Sequence, residues 1–340
     1  MESIILQKRL YCPFPSRINS NVIAADEHTV RWIRRFRLLH SEEQILQYRK
    51  EGYAYMVARM FPEADLETLC AYSDLNTLLF IVDDFLDQKD EMVSGGHDSG
   101  SVEKFSKVFV AILDNPAVGH GSSEPVFAAL ADLWERICRL GTPGWISKYK
   151  NSLWRIFHAA LWQHKNIEAG IWPSLEDYMS RRQYIGAANV ATDCIEMIDG
   201  ISLPEEAWNH PVLVELTELC RNTVCWANDL FSLSKEREKG EYHNLVTILS
   251  HEKHMSLNRA VSRAISIHDI QVRRFIRLTA SLPVFEEKIT TEIIRYVEGL
   301  KAIMRANIDW SNHETSRYRF LYADQVPAMP RRVRAEAVAH

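Results

Sequence analysis

The sequence has little that would turn a chain sharply or staple it together. Its 340 residues include 13 glycines and 12 prolines, where an average chain of this length carries roughly 40 of the two together. That scarcity leaves few places to turn and favours long helices. The six cysteines, Cys12, Cys70, Cys138, Cys194, Cys220 and Cys225, form no CxxC pair and no zinc-type Cys/His spacing. They read as buried thiols, against a disulfide framework or a structural zinc site. No apolar run approaches the ~18 residues of a membrane span, and no basic segment followed by a sustained apolar stretch marks the amino terminus. A cytoplasmic protein with no integral membrane association is expected. Positive charge is not in surplus: 40 basic against 45 acidic residues leave a net charge of −5. Nothing in that balance favours nucleic acid or an anionic membrane, and an anionic substrate would need a bridging cation or a local basic patch.

What is present is an ordinary globular composition, 46% hydrophobic and 25% charged, enough to bury a large core. From about residue 27 to residue 310 apolar positions recur at helical spacing, with no sustained period-two alternation and hence no strand pattern. Ser41 and Gln44 have the spacing of a capping box, and Leu46, Tyr48, Tyr53, Met56, Val57 and Met60 follow as an apolar face, which predicts one helix over about 41–60. Breaks at Gly141-Thr142-Pro143-Gly144, Gly170 to Pro173, Gly200 to Pro204 and Pro283 delimit further helices of roughly 15–30 residues. No polar linker or internal repeat divides this stretch, so the expectation is one all-α domain. Residues 1–24 read as an amino-terminal strap or tail, and residues 323–340, with Arg331, Arg332 and Arg334, as a flexible tail.

Four groups of residues carry chemistry. Asp83-Asp84-Phe85-Leu86-Asp87 follows an apolar run. On a helix Asp83 and Asp87 stand one turn apart with Asp84 beside them, and burying such like charges demands cations. Oxygen ligands of this kind suit Mg²⁺, although an isolated cluster also fits a charged surface turn. Downstream, Asn228, Ser232 and Glu236 at i, i+4 and i+8 form a polar stripe about 12 Å long on one helix side. That stripe could chelate a hard cation or simply face solvent, and Lys235 lies beside it. Arg181-Arg182 fall two to three turns into a helix led in by Pro173 and acidic residues, followed by Gly186-Ala187-Ala188, where small residues permit a break or close packing. Arg317-Tyr318 near the carboxyl terminus could donate hydrogen bonds to phosphate oxygens.

Together these groups resemble the class I terpene synthases, particularly the single-domain bacterial and fungal type, over roughly residues 25–322. Asp83-Asp84-Phe85-Leu86-Asp87 looks like the family's aspartate-rich motif, and Asn228, Ser232 and Glu236 with Lys235 match its NDxxSxxxE signature. Arg182, 46 residues before Asn228, is similar to the diphosphate-sensing arginine. Ile185 and Gly186 then occupy its linker and effector positions, and Arg317-Tyr318 look like its terminal pair. The resemblance implies a single-domain α-helical bundle of the isoprenoid synthase type. It implies three Mg²⁺ ions held by Asp83, Asp84 and Asp87 and by Asn228, Ser232 and Glu236, with a linear isoprenyl diphosphate gripped by Arg182, Lys235, Arg317 and Tyr318. A homodimer would accord with the family.

Such chemistry needs no nucleophilic side chain. It needs an apolar pocket in which aromatic faces stabilise a carbocation. Phe80, Trp154, Phe157 and Trp310 are the candidates, each of which could equally be ordinary core. His243-Asn244 echoes a segment that follows the signature in the family and reads as structural; His251 and His254 read as surface. A chain-elongating prenyltransferase is the first alternative, but it would carry two aspartate-rich motifs, and Asp83-Asp84 is the sole adjacent aspartate pair in the sequence. A non-catalytic helical lipid-binding protein is the second. Farnesyl diphosphate is the first-choice substrate on family frequency, and geranylgeranyl diphosphate the second.

Overall fold

The computed structural model describes residues 4–87, 99–318 and 320–325, with the side chains of residues 4 and 85–87 outside that description. A short strand β1 (Ile4–Leu6) leads through an extended segment to α1 (Val22–Phe36), α2 (Glu42–Glu51), α3 (Tyr53–Met60), α4 (Leu66–Asp87) and α5 (Ser99–Asp114). After the single turn α6 (Ala117–His120) come α7 (Pro125–Leu140), α8 (Pro143–Ala169), α9 (Leu175–Ile185) and α10 (Ala188–Asp193), then the short α11 (Ile195–Ile198) and α12 (Glu205–Trp208). Long helices α13 (Pro211–Lys239), α15 (Leu257–Thr279) and α16 (Glu287–His313), with α14 (Leu245–Glu252) between the first two, complete the bundle before strand β2 (Phe320–Tyr322). All-α is therefore the fold class, as the scarcity of turn residues implies.

The capping box forms as its spacing predicts: Ser41 Oγ accepts from the Gln44 N–H at 3.2 Å, and Gln44 Oε1 accepts from the Ser41 N–H. The single helix expected over 41–60 does not form, because Gly52 takes a left-handed φ of 63° and divides it into α2 and α3. A side chain there would stand 2.8 Å from the Glu314 carbonyl oxygen, so glycine is required by conformation and by space alike. Trp310 uses the break, its indole N–H bonding the Glu51 and Gly52 carbonyls at 3.0 and 2.9 Å.

Helix α13 lies at the centre, packed on α15 and α16; α16 packs on α3, α3 on α4, and α5 on α8. Their apolar faces share one core, in which Trp134, Trp226, Tyr149, Tyr178 and Phe275 are fully buried. Among the described residues no helix is long and apolar enough to cross a membrane. The absence of any sheet is the second expectation to be corrected. β1 and β2 pair in parallel, Ile4 opposite Phe320 and Leu6 opposite Tyr322, and strands of three residues are too short to leave a period in the sequence.

Candidate active site

A cavity of about 250 Å³ opens among α3, α4, α8, α9, α10, α13 and α16. Its walls change character along the two helices that carry the acidic motifs. On α4, Tyr72, Leu75, Leu79 and Phe80 precede Asp83, and on α13, Val224 and Cys225 precede Asn228, Ser232 and Lys235. Both helices turn from apolar to polar toward their carboxyl-terminal ends. Lys235 Nζ, 3.7 Å from Asp84 Oδ1, joins those ends to each other.

Asp84 is the anchor of the α4 side. Arg317 grips it bidentately, Nη1 to Oδ2 at 2.9 Å and Nη2 to Oδ1 at 2.7 Å, and donates a third bond to the Tyr53 phenol at 2.9 Å. The same guanidinium lies 5.2 Å over the Phe80 ring, which stacks on Tyr53 at 4.2 Å. Tyr53 in turn donates to Glu51. Burial pushes the Asp84 carboxyl upward, but the Arg317 hydrogen bonds and charge outweigh it and hold the group below its ordinary range. Of the expected trio of carboxylates, Asp84 is thus met first by protein cations. Asp83 projects from the same turn with its side chain 57% exposed, 3.7 Å from Arg317; the side chain of Asp87 lies outside the described residues.

On the α13 side the hub is Asn228. Its Oδ1 accepts from Arg182 Nη2 at 2.8 Å and its Nδ2 donates to the Tyr318 oxygen at 2.9 Å, so one amide joins the basic residue of α9 to the carboxyl-terminal tyrosine. Ser232 Oγ donates to the Asn228 carbonyl at 2.8 Å. Glu236 is half-buried one turn further on and accepts from Asn244 Nδ2 at 2.7 Å. Burial, with the charge of Asp229 nearby, raises the Glu236 carboxyl to about 7.

Sequence reasoning missed the residue beneath this stripe. Asp229 points into the protein and accepts from Arg182 Nε and the Leu245 N–H, both at 2.8 Å, with the Tyr178 phenol also 2.8 Å away. Burial disfavours the charge of Arg182, but Asp229 more than restores it, so a guanidinium only 6% exposed stays ionised. Asn244, read as structural, caps α14 through the Val246 N–H and also steadies Glu236. His243 lines the cavity. Its ring nitrogens have no hydrogen-bond partner among the described residues, and burial lowers its pKa to about 4.

Of the break or close packing that small residues permit after Arg182, a break is found at Gly186-Ala187, where Ala187 adopts φ 52°, a left-handed conformation uncommon outside glycine. A Cβ on Gly186 would overlap Arg182 Nη1 and approach Cys225 Sγ at 3.3 Å. Ile185 and Gly186 both line the cavity, as do Phe80, Phe157 and the fully buried Trp310. Trp154 does not. It is 48% exposed beside His158, because α8 turns that side of the helix to solvent. His251 is exposed as expected, though it stacks on Trp172 at 3.9 Å.

The donor set fits a hard cation. Amide, hydroxyl and carboxylate oxygens stand on α13 and two aspartates on α4, oxygen ligands of the kind a hard cation takes. Among the described residues no three His, Cys, Asp or Glu side chains form a metal cage by themselves.

Comparisons with known proteins identify the family to which the chain is similar. The family model described as "Terpene synthase family 2, C-terminal metal binding" matches residues 74–274. The (+)-T-muurolol synthase ((2E,6E)-farnesyl diphosphate cyclizing) of Roseiflexus castenholzii is 31% identical, over 89% of this chain and 91% of its own. The germacrene A synthase of Nostoc punctiforme is 29% identical over 92% and 95%. Among solved structures, the germacradien-4-ol synthase from Streptomyces citricolor shares the fold, with a TM-score of 0.77 and 22% identity over 90% of this chain and 100% of that one.

Proposed function

The chain belongs to the class I terpene synthases, and on that premise we propose that it is a Mg²⁺-dependent cyclase of a linear isoprenyl diphosphate. It ionises the substrate to a carbocation and diphosphate, and the cyclised cation ends as a hydrocarbon by losing a proton or as an alcohol by capturing water and losing a proton. The observation that carries this reading is the cavity whose walls turn from apolar to polar along α4 and α13 together. A chain with a charged head and a hydrocarbon tail matches such a wall. Farnesyl diphosphate is the substrate of choice, since two relatives are described as cyclising it.

Asp83 and Asp84, with Asp87, would hold cations on one side and Asn228, Ser232 and Glu236 on the other, three Mg²⁺ in all. When bound, the ions supply charge that weakens the ester carbon–oxygen bond. Arg182, Lys235, Arg317 and Tyr318 donate charge-assisted hydrogen bonds to the departing diphosphate. Arg317 reaches that anion only by sharing or leaving Asp84. Behind the polar end, Phe80, Phe157 and Trp310 exclude water and offer aromatic faces to the cation, while Ile185 and Gly186 set the wall nearest Arg182.

The test is incubation of the protein with geranyl, farnesyl and geranylgeranyl diphosphates, with and without Mg²⁺, and gas chromatography–mass spectrometry of an organic extract. A Mg²⁺-dependent cyclic fifteen-carbon product from farnesyl diphosphate is expected. Longer diphosphates, formed only after isopentenyl diphosphate is added, would establish chain elongation instead. No consumption of any substrate would defeat the proposal.

A further inference from the structure

Arg317 and Tyr318 lie beyond the last residue of α16, His313, so no helix holds them. On their upstream side the chain is tied by the Thr315 N–H to the Trp310 carbonyl at 3.2 Å and by the Ser316 N–H to the Lys50 carbonyl at 2.8 Å. On their downstream side the backbone enters β2, whose strand partner among the described residues is β1. A two-stranded ribbon of three residues is not stable alone, and residues 8–14, directly after β1, fasten this one to the bundle. Lys8 Nζ and the Tyr11 N–H bond the two carboxylate oxygens of Asp269 on α15 at 2.9 and 3.0 Å. Arg273 lies 4.0 Å over the Tyr11 ring, Phe14 meets Phe275 edge-on at 5.7 Å, and Arg305 of α16 bonds the Cys12 carbonyl at 3.2 Å. Arg9 returns to the carboxyl-terminal segment, 3.1 Å from Asp324 and over the Tyr322 ring at 5.0 Å.

We infer that this amino-terminal strap, residues 4–14, is a positioning element for Arg317 and Tyr318: it fixes the far end of the segment whose near end is fixed by α16. The inference rests on the diphosphate role proposed above for that pair. The strap touches the reaction only through them, since none of residues 4–14 lines the cavity. Contacts independent of the strap also hold β2: the Phe320 ring lies against Phe231 of α13 at 4.3 Å, and the Tyr322 phenol hydrogen-bonds Asn312 of α16. The strap's share therefore has to be measured.

The experiment compares the full chain with a variant lacking residues 1–7, which removes β1, and with Asp269→Ala, which frees Lys8 and Tyr11 while leaving the strand intact. The second variant keeps the test meaningful if the first does not fold. Affinity for inorganic pyrophosphate in the presence of Mg²⁺ is measured by calorimetry, each change alone and combined with Arg317→Ala. Roughly tenfold weaker binding is expected from each strap variant, with little further loss once Arg317 is absent. Unchanged affinity, or losses that multiply with that of Arg317→Ala, would overturn the positioning role. Hydrogen exchange over residues 314–318 is read on the same proteins without ligand, and faster exchange in the strap variants is expected. Unchanged exchange there overturns the inference whatever the ligand result. A wild-type chain that neither binds pyrophosphate nor consumes farnesyl diphosphate defeats the function on which it rests.

Discussion

The guanidinium of Arg182 occupies the space that a side chain on Gly186, one helical turn later, would need. Arg182 cannot swing aside to make room, because Asp229 and Asn228 hold it from two directions at 2.8 Å. The helix break at Gly186-Ala187 and the aim of the arginine are thus one feature.

Gly186→Ala should therefore act as an arginine mutation in disguise. We expect turnover of farnesyl diphosphate to fall by about 10- to 100-fold, with a far-ultraviolet circular dichroism spectrum like that of the wild type. Steady-state kinetics on the variant checks this, and a wild-type kcat would show that Arg182 has room to spare.

Asp229→Asn leaves Arg182 as a buried charge without its ion-pair partner. Breaking such a pair costs about 3 kcal/mol of stability, to be read from urea unfolding, and turnover should fall with it. Equal stability would mean that Asn228 suffices to hold the guanidinium.

Phe80 and Trp154 offer a paired contrast, since one lines the cavity and the other faces solvent. Phe80→Ala should redistribute the product mixture more than it slows substrate consumption, whereas Trp154→Ala should leave the chromatogram unchanged. Identical profiles for Phe80→Ala and wild type would return Phe80 to plain core packing.

Away from the cavity, His28 sits 3.1 Å from the buried carboxylate of Asp74, which Arg136 also grips at 2.7 Å. Its hydrogen bond to Asp74, aided by one with Cys70, raises the imidazole pKa to about 9. Because the folded value lies above the unfolded one of about 6.5, the contact stabilises fully below pH 6.5 and its contribution is lost as pH rises through about 9. Thermal unfolding of the wild type and His28→Asn between pH 6 and 9.5 should converge at the alkaline end. A constant gap would mean that the ring contributes only packing.

The parts of the site legible in the sequence are those set by helical spacing. Asn228, Ser232 and Glu236 align because four residues make about one turn, and Ser41 and Gln44 announce their own helix start. What stayed hidden depends on partners far along the chain. Gly52 breaks its helix because Glu314 crosses over it, and Asp84 meets Arg317 more than two hundred residues away. Trp154 misled because it lies three residues from Phe157, near enough for a shared face, while α8 exposes one and buries the other. The β1–β2 pairing joins the two ends of the chain through three residues each, too few for any periodic signal.

The two-sided site itself is tested most directly by soaking crystals of the full chain with Mn²⁺, as a stand-in for Mg²⁺, together with pyrophosphate, and mapping the anomalous signal. Peaks are predicted beside Asp83 and Asp84 and among Asn228, Ser232 and Glu236, with pyrophosphate between them in contact with Arg182, Lys235, Arg317 and Tyr318. Manganese bound elsewhere, or pyrophosphate bound without any ion at these oxygens, would contradict the arrangement on which the proposed chemistry depends.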